Sequence, residues 1–466
     1  MKFPPTAPAL PALALALLAT ACSPPATWHS THAEPPAPHL REGAPRPGTD
    51  PAPPDPTTGE AVSLQGLLTF ADAHSPILAV ARSSRSRAEA ARVAASLLAP
   101  SDPQLTVSVG PRLAPRGTGV EVEVSLYQSI FLAGERRLAI TAADAVAELT
   151  DAEIEQLRWA VHCDVHAAYH RAIVERERAL LAARVVAFQR EVLRAVERRT
   201  AAGETGALPL RLTLAEVAQA EQALLQSEQA HRAARIRLAQ LAGWPVAHPP
   251  DPEGKLDTPM EPPPVERLLA IARERLPLLR TRDAAVREAE ARIALAEREA
   301  WPKPALGVQV RREGNPGPEG EAYIVLGSAQ LTIPTFQRNQ AERAKAGADA
   351  HVARTERDAA RTLLEADVAE AHNRVTAAAR RVKSYGTEVI PRLEENLTLL
   401  RRAFELGEID LLELSMGRER FLRIQGDALT AWLDYFLALA DLERAAGAEI
   451  PRDERPPAGP AERGSR

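Results

Sequence analysis

Two long stretches without proline constrain this chain more than any other feature of its sequence. Proline occurs 40 times among the 466 residues, yet none lies within residues 116–208 or 335–390. Because proline breaks the interior of a helix, both stretches favour very long helices. A helix over residues 134–199 would be about 100 Å long at 1.5 Å per residue. Such a helix is far longer than a compact globular domain accommodates.

Small and branched apolar residues follow one face of each predicted long helix, in alternating steps of three and four. In the first helix they are Leu157, Val161, Val165, Ala168 and Ala172. In the second they are Leu364, Val368, Ala371, Val375 and Val382. This spacing is typical of a coiled-coil seam, and small side chains allow two helices to approach closely. Helices returning over residues 210–241 and 411–444 would complete a hairpin in each half.

Four short segments alternate apolar and polar residues, which is the period of a β-strand with one face of each kind. The clearest covers residues 120–126, where Glu121 and Glu123 separate valines. The other three are predicted at residues 105–109, 306–310 and 323–333. Strands of about ten residues are long enough to cross a bilayer when they are tilted.

The pattern of strands and helices is written twice. Three pairs of segments match in the same order at nearly the same offset: residues 129–134 with 334–339, 164–171 with 367–374, and 199–204 with 403–408. Each half also predicts one leading helix, over residues 64–98 and 265–300. The predicted domains are a repeat over residues 61–243, a proline-rich linker over 244–263, a second repeat over 264–448 and a flexible tail over 449–466.

The first residues indicate export. Residues 1–21 have a short positive start, an apolar run and small residues before Cys22, the order of a bacterial lipoprotein signal. An ordinary signal peptide with a chance cysteine is the alternative. Ser23 lacks the acid associated with inner-membrane retention, so a lipidated Cys22 would point to the outer membrane. Residues 22–60 are proline-rich and predict an extended tether, and Cys163 is the other cysteine.

The fold class is therefore α+β and mainly α, with a duplicated unit of two strands and a long helical hairpin. No apolar run in the mature chain is long enough for a transmembrane helix, so strands would have to span any membrane. Four strands cannot close a barrel alone, and open edges must be paired in lipid. Three copies would supply about twelve strands, enough for a water-filled pore.

These residues resemble the TolC family of outer-membrane efflux channels over nearly the whole mature chain, residues 64–447. Family-like marks are Phe131 and Phe336 at the strand-to-helix junctions, the glycines at the hairpin tips, and residues 238–245 at the end of the first repeat. The resemblance implies a homotrimer with a twelve-stranded outer-membrane barrel that continues into an α-helical periplasmic tunnel. It also implies two partners, a periplasmic adaptor and an inner-membrane pump of the resistance-nodulation-division type.

Two segments resemble the heavy-metal subgroup, the channels of cobalt–zinc–cadmium exporters. They are residues 133–137 after the first strand pair and residues 333–340 after the second. The chain has Ala341 where that subgroup commonly has glycine. Divalent heavy-metal cations are the cargo that this resemblance implies, and drugs or other organic compounds are the alternative.

By the same resemblance, the hairpin tips form the constricted periplasmic end and meet the adaptor. The candidate residues there are Arg199, Gly203, Glu204, Gly407, Glu408 and Asp410. Trimerisation would turn each carboxylate into a ring of three that can gate and bind cations. In the barrel, Glu121 and Glu123 would face the lumen as a negative collar while the valines between them face lipid.

Three histidines form a candidate metal cluster. His162, His166 and His170 are spaced by four residues and share one helix face, which lets imidazoles share a metal. The second repeat has Ala369 and Asn373 at the positions of the last two. The stripe also lies away from the predicted seam, so we expect a solvated face, with a transient metal contact as the alternative.

Several classes are excluded or disfavoured. No phosphate-binding loop, zinc-protease motif or serine elbow is present, so we expect neither an enzyme nor a cofactor. The net charge of -5 arises from interleaved acids and bases, unlike the footprint of a nucleic-acid binder. A periplasmic adaptor and a structural coiled-coil lipoprotein remain less favoured alternatives, because the duplicated alternating strands fit neither.

Overall fold

The structure is a computed structural model. It describes residues 61–114, 117–132, 134–203, 206–256, 258–314, 322–406, 408–409 and 411–450. Predictions about the signal peptide, the tether, Cys22, Glu204, Gly407, Asp410 and the tail beyond residue 450 therefore lie outside the described residues.

The first half follows the predicted order of elements. It contains β1 (Ala61–Val62), α1 (Leu64–His74), α2 (Pro76–Ser83), α3 (Arg85–Ala95), β2 (Gln104–Ala114), β3 (Gly117–Ser129), α4 (Glu135–Ala201) and α5 (Ala207–Ala242). The long helix α4 runs for 67 residues without interruption.

The second half repeats this order. It contains α6 (Val265–Arg275), α7 (Pro277–Arg298), β5 (Ala305–Glu313), β6 (Ala322–Gln330), α8 (Gln340–Ser384), a π-turn (Tyr385–Val389), α9 (Ile390–Glu405) and α10 (Leu411–Ala446). Between the halves, β4 (Asp251–Pro252) pairs with β1 in parallel. None of the described helices combines the length and the apolar character needed to cross a membrane.

The two leading helices are not continuous, and that prediction is wrong. In the first half the leading helix is interrupted before Pro76 and again at Ser84. In the second half it is interrupted before Pro277. A proline cannot donate the helical N–H bond and it disfavours the helical region for the preceding residue, so each proline starts a new helix. The second long helix is also interrupted, by the π-turn at Tyr385–Val389.

The strands form one antiparallel sheet in the order β2–β3–β5–β6. Val124 on β3 lies opposite Val107 on β2 and Val310 on β5. These valines share one apolar face, whose side chains are solvent-exposed, as Val109 at 68% and Val325 at 67% illustrate. Among the described strands, β2 and β6 each have one neighbour, so both edges of the sheet are open.

Each half has its own hydrophobic core along its helical hairpin. The first core joins α1, α4 and α5 around residues such as Leu67, Val165 and Leu238. The second joins α6, α8 and α10 around Val368 and Leu442. The seam residues of both long helices are buried, except Leu157, which is partly buried against the first core. The prediction that these residues form a buried seam is confirmed.

The same backbone lock closes both halves. Gly243 ends α5 with φ +75°, and a Cβ there would lie 2.0 Å from the carbonyl oxygen of His74. Gly447 ends α10 with φ +69°, and a Cβ there would lie 2.6 Å from Cα of Leu276. In each half the glycine therefore packs against the backbone just before the proline that breaks the leading helices. Only glycine combines this φ with so close an approach.

Candidate functional site

The polar face of the sheet holds an ion-pair network centred on Arg311. Register places Arg311 of β5 opposite Glu123 of β3. Its guanidinium Nη2 lies 2.9 Å from Glu123 Oε2, and Nε lies 3.4 Å from Glu121 Oε1. Gln309 also donates a hydrogen bond to Glu123. Arg311 thus holds both of the glutamates that the alternation placed on this face.

A second pair lies further along the same face. Arg112 of β2 donates from Nη1 to Glu313 Oε2 of β5 at 2.6 Å. Sequence reasoning identified the glutamates but missed Arg311 and Arg112. The alternation along one strand shows which side chains share its face, but partners on neighbouring strands depend on the register across the sheet.

The tip of the first hairpin is described in part. Gly203 has φ +75° and follows the last turn of α4, where Arg199 is exposed. At the second tip, the exposed Glu408 donates its backbone N–H to the carbonyl of Ala403 at 2.9 Å. The structure places these three residues at helix-terminal turns, as predicted, and their gating or adaptor roles stay predictions.

The strand-to-helix junctions use left-handed backbone turns. Gly134 with φ +80° precedes α4, and Asn339 with φ +56° precedes α8. The Asn339 side chain donates to the carbonyl of Ala296 at 2.9 Å, which ties this turn to α7. Phe131 lies before the first turn with Lys303 Nζ 5.9 Å from its ring centroid, and Phe336 before the second is 89% exposed.

The prediction that the histidines form a solvated face is wrong. His166 and His170 are buried, at 4% and 5% exposure, because α10 packs over this face of α4. The His170 ring stacks on Phe436, with 4.1 Å between ring centroids. Comparison of the two repeats could not reveal this burial, because the residues that cover the histidines come from the second half.

The histidines anchor the C-terminal end of α10 to α4. His166 Nδ1 lies 2.5 Å from Glu443 Oε2 in a buried pair, and His162 Nε2 lies 2.9 Å from Glu449 Oε1. The backbone N–H of Ile450 donates to the other oxygen of Glu443. Within the part of the chain that the structure describes, no group of three or more His, Cys, Asp and Glu side chains is arranged to hold a metal ion.

Cys163 lies in the same contact and is a buried, free thiol. Burial raises the pKa of this thiol, and the nearby Glu443 carboxylate raises it further. Because the thiolate is the reactive form, Cys163 is expected to be inert in the folded chain.

Comparison with protein families decides the identity of this architecture. The family model described as outer membrane efflux protein matches residues 67–244 and 268–448, about three quarters of the chain. The chain belongs to the outer membrane efflux protein family. None of the curated protein sequences compared with the chain matches it.

Solved structures of outer-membrane channels share the fold. The Campylobacter jejuni CmeC outer membrane channel matches with 13% identity and a TM-score of 0.68, over 84% of this chain and 87% of that one. The Neisseria gonorrhoeae MtrE outer membrane channel matches with 20% identity and 0.64, over 84% and 90%. CusC matches with 15% identity and 0.65, over 88% and 99%. At these identities the likeness shows the fold alone.

The family membership confirms the coarse predictions. The protein is an outer-membrane efflux channel component rather than an enzyme. Its family forms trimers and functions in tripartite efflux assemblies in the outer membrane. The mainly helical fold predicted from the sequence is likewise confirmed.

Proposed function

We propose that three copies of this chain form one outer-membrane channel, which passively conducts cargo from an inner-membrane pump and a periplasmic adaptor to the exterior. The main support for this proposal is the four-stranded sheet, which has an exposed apolar face, a polar face and two open edges. An apolar face needs lipid or protein against it, and open edges in lipid need partners. Pairing β6 of one copy with β2 of the next would satisfy the edges, and lipid around the closed barrel would cover the apolar face.

The number of copies sets the number of strands. Three four-stranded sheets would give a barrel of twelve strands. The apolar face would meet lipid, and the polar face with Glu121, Glu123 and Arg311 would line the passage. Each chain would continue below the barrel as two helical hairpins, which together form the periplasmic tunnel.

The remaining assignments complete this proposal. Residues 61–243 and 264–448 form the two efflux repeats, joined by the linker 244–263 and flanked by a tether over 22–60 and a tail from 449. Cleavage after residue 21 and lipidation at Cys22 would add an anchor to the barrel. Arg199, Gly203, Glu204, Gly407, Glu408 and Asp410 would form the periplasmic gate and the adaptor contact.

Divalent heavy-metal cations are the cargo that we propose. The support is the resemblance in residues 133–137 and 333–340. In the structure the described parts of these segments, residues 134–137 and 333–340, lie where α4 and α8 begin, and Arg136 donates to the carbonyls of Ser96 and Leu97. Arg136 therefore ties the first turn of α4 to the chain just after α3.

Organic compounds are the second candidate cargo, and one observation favours them. Arg311 and Arg112 neutralise much of the negative charge that the sequence predicted on the polar face. A nearly neutral passage offers no particular advantage to divalent cations.

Deletion of the gene in its host separates the two cargoes. Growth would be measured on zinc, cobalt, cadmium, nickel and copper beside a panel of dyes and antibiotics. The expected result is that the deletion strain becomes sensitive to metals alone and that the intact gene restores its growth on them. Sensitivity to organic compounds alone would contradict the metal cargo and leave the channel standing. Recovery of the protein outside the outer-membrane fraction would contradict the channel itself.

A further inference from the structure

Five charged side chains lie on the polar face of the described sheet. Residues directly opposite one another share a face, so the register assigns Glu121 and Glu123 of β3, Arg112 of β2, and Arg311 and Glu313 of β5 to one side. Arg312 lies on the opposite, apolar face. The polar face of each chain thus carries three carboxylates against two guanidinium groups.

The two arginines contact different carboxylates. Arg112 pairs with Glu313 at 2.6 Å. Arg311 lies between Glu121 and Glu123, within 3.4 Å of the first and 2.9 Å of the second. Glu313 in turn lies opposite Glu121 in the register. Without Arg311, the two β3 carboxylates would stand two residues apart on one face with no cation in contact from β5.

We propose that Arg311 determines the charge selectivity of the barrel by suppressing a cation-binding collar at Glu121 and Glu123. This inference rests on the proposed function, because it needs the polar face to line the passage. With Arg311 present, the five side chains leave one net negative charge per chain, and loss of Arg311 leaves two. In a trimer the change is from three to six negative charges around one passage, and rings of like charge concentrate counter-ions.

A barrel held near neutrality admits anionic, neutral and cationic solutes alike. Any preference for metal cations must then arise below the sheet or in the partner that loads the channel. The cation-favouring collar that the sequence predicts would form only in a chain without Arg311.

The test is conductance of the purified full-length protein in planar lipid bilayers under a potassium chloride gradient. Three variants are compared with the unmodified protein: Arg311→Gln, Glu123→Gln, and Arg312→Gln as the matched control on the opposite face. The probe is hexamminecobalt(III), a trivalent cation, added to either side. All four proteins keep the same hairpin tips, so differences among them report on the sheet.

Arg311→Gln is expected to shift the reversal potential toward cation selectivity and to lower the blocking concentration of the probe about tenfold. Glu123→Gln is expected to shift the potential the opposite way, and Arg312→Gln to behave as the unmodified protein. Because Glu123→Gln tests the same network with the opposite sign, a folding failure of Arg311→Gln leaves the proposal testable.

Two results would overturn the inference and leave the channel intact. One is conductance with unchanged selectivity and block in both Arg311→Gln and Glu123→Gln. The other is an equal shift in Arg312→Gln. Absence of conductance from the unmodified protein, inserted and folded, would instead contradict the proposed function, and the inference would fall with it.

Discussion

The two helical hairpins share an order of elements but differ in how their distal halves are packed. In the first, Val186, Phe188 and Val192 of α4 are buried, and Val217 and Ala220 of α5 are buried with them. In the second, no hydrophobic side chain among the described residues between Val382 and Ala428 is buried. A duplicated pattern can therefore build one hairpin with buried side chains in its distal half and one without.

The backbone differs in the same direction. Helix α4 is continuous, whereas the second hairpin contains a π-turn over Tyr385–Val389, with Gly386 inside it and Pro391 just after it. Pro391 cannot donate to the carbonyl of Thr387 and its ring crowds that carbonyl, so the widened turn relieves the conflict. The proximal ends are alike, since Gly243 and Gly447 make the same lock. The two halves therefore diverge toward their tips.

The largest expected effect concerns the pair that joins the halves. His166→Ala would leave the buried Glu443 carboxylate without its imidazole partner and is expected to cost about 3–5 kcal/mol. Hydrogen exchange of α4 and α10 peptides measures this cost as a lower free energy of local opening. The double variant His166→Ala/Glu443→Leu removes both polar partners and should recover part of it. Exchange rates unchanged in His166→Ala would show that the pair does not hold α10.

The packing contrast is tested next, by truncating one side chain in each distal half. Phe188 is 5% exposed and lies under the Arg418 guanidinium at 4.2 Å, so Phe188→Ala is expected to cost about 3 kcal/mol of local stability. Leu399 is 65% exposed, so Leu399→Ala should change stability by no more than about 0.5 kcal/mol. Hydrogen exchange of the two tips measures both. Equal losses would erase the contrast.

The likeness of the proximal ends predicts equal penalties there. Gly243→Ala and Gly447→Ala each place a methyl group against backbone in a left-handed conformation, which should cost about 2 kcal/mol. Thermal melting of the purified protein in detergent measures both variants. A penalty at one site alone would show that the two locks are not equivalent.

A gain is expected inside the π-turn. A Cβ at Gly386 would meet no atom within 4 Å, and its φ is not left-handed, so Gly386→Ala should stabilise the second hairpin by about 0.5–1 kcal/mol. Gly347→Ala, in the regular part of α8 with equally open space, is the matched control and should gain the same. Hydrogen exchange is again the readout. A loss in Gly386→Ala beside a gain in Gly347→Ala would show that the turn requires glycine.

The smallest effect is pH-dependent. Burial raises the pKa of Glu288 on α7 above its ordinary value, and Asp349 adds to the rise while Arg292 opposes it. A raised pKa means that the folded chain holds this proton more tightly than the unfolded chain. Its contribution is therefore present at acidic pH and is lost as pH rises through the raised value. Glu288→Gln should raise the melting temperature more at pH 7.5 than at pH 4, and the reverse order would contradict this.

The sequence predicted what depends on periodicity along the chain. Alternation at Glu121 and Glu123 predicted β3 and its faces, and steps of three and four predicted the seam through Val165 and Val368. Contacts between distant segments were beyond it. Arg311 is almost two hundred positions from Glu123, and Glu443 is farther still from His166, so only the folded arrangement reveals either pair.

We propose that the open-edged four-stranded sheets of three chains close one barrel. Native mass spectrometry of the mature protein, extracted from outer membranes in mild detergent, tests it most directly. We expect a complex of three chains that separates into single chains after heating. Detection of single chains only, even under the mildest extraction, would contradict a barrel shared by three chains, because one sheet cannot cover its own edges.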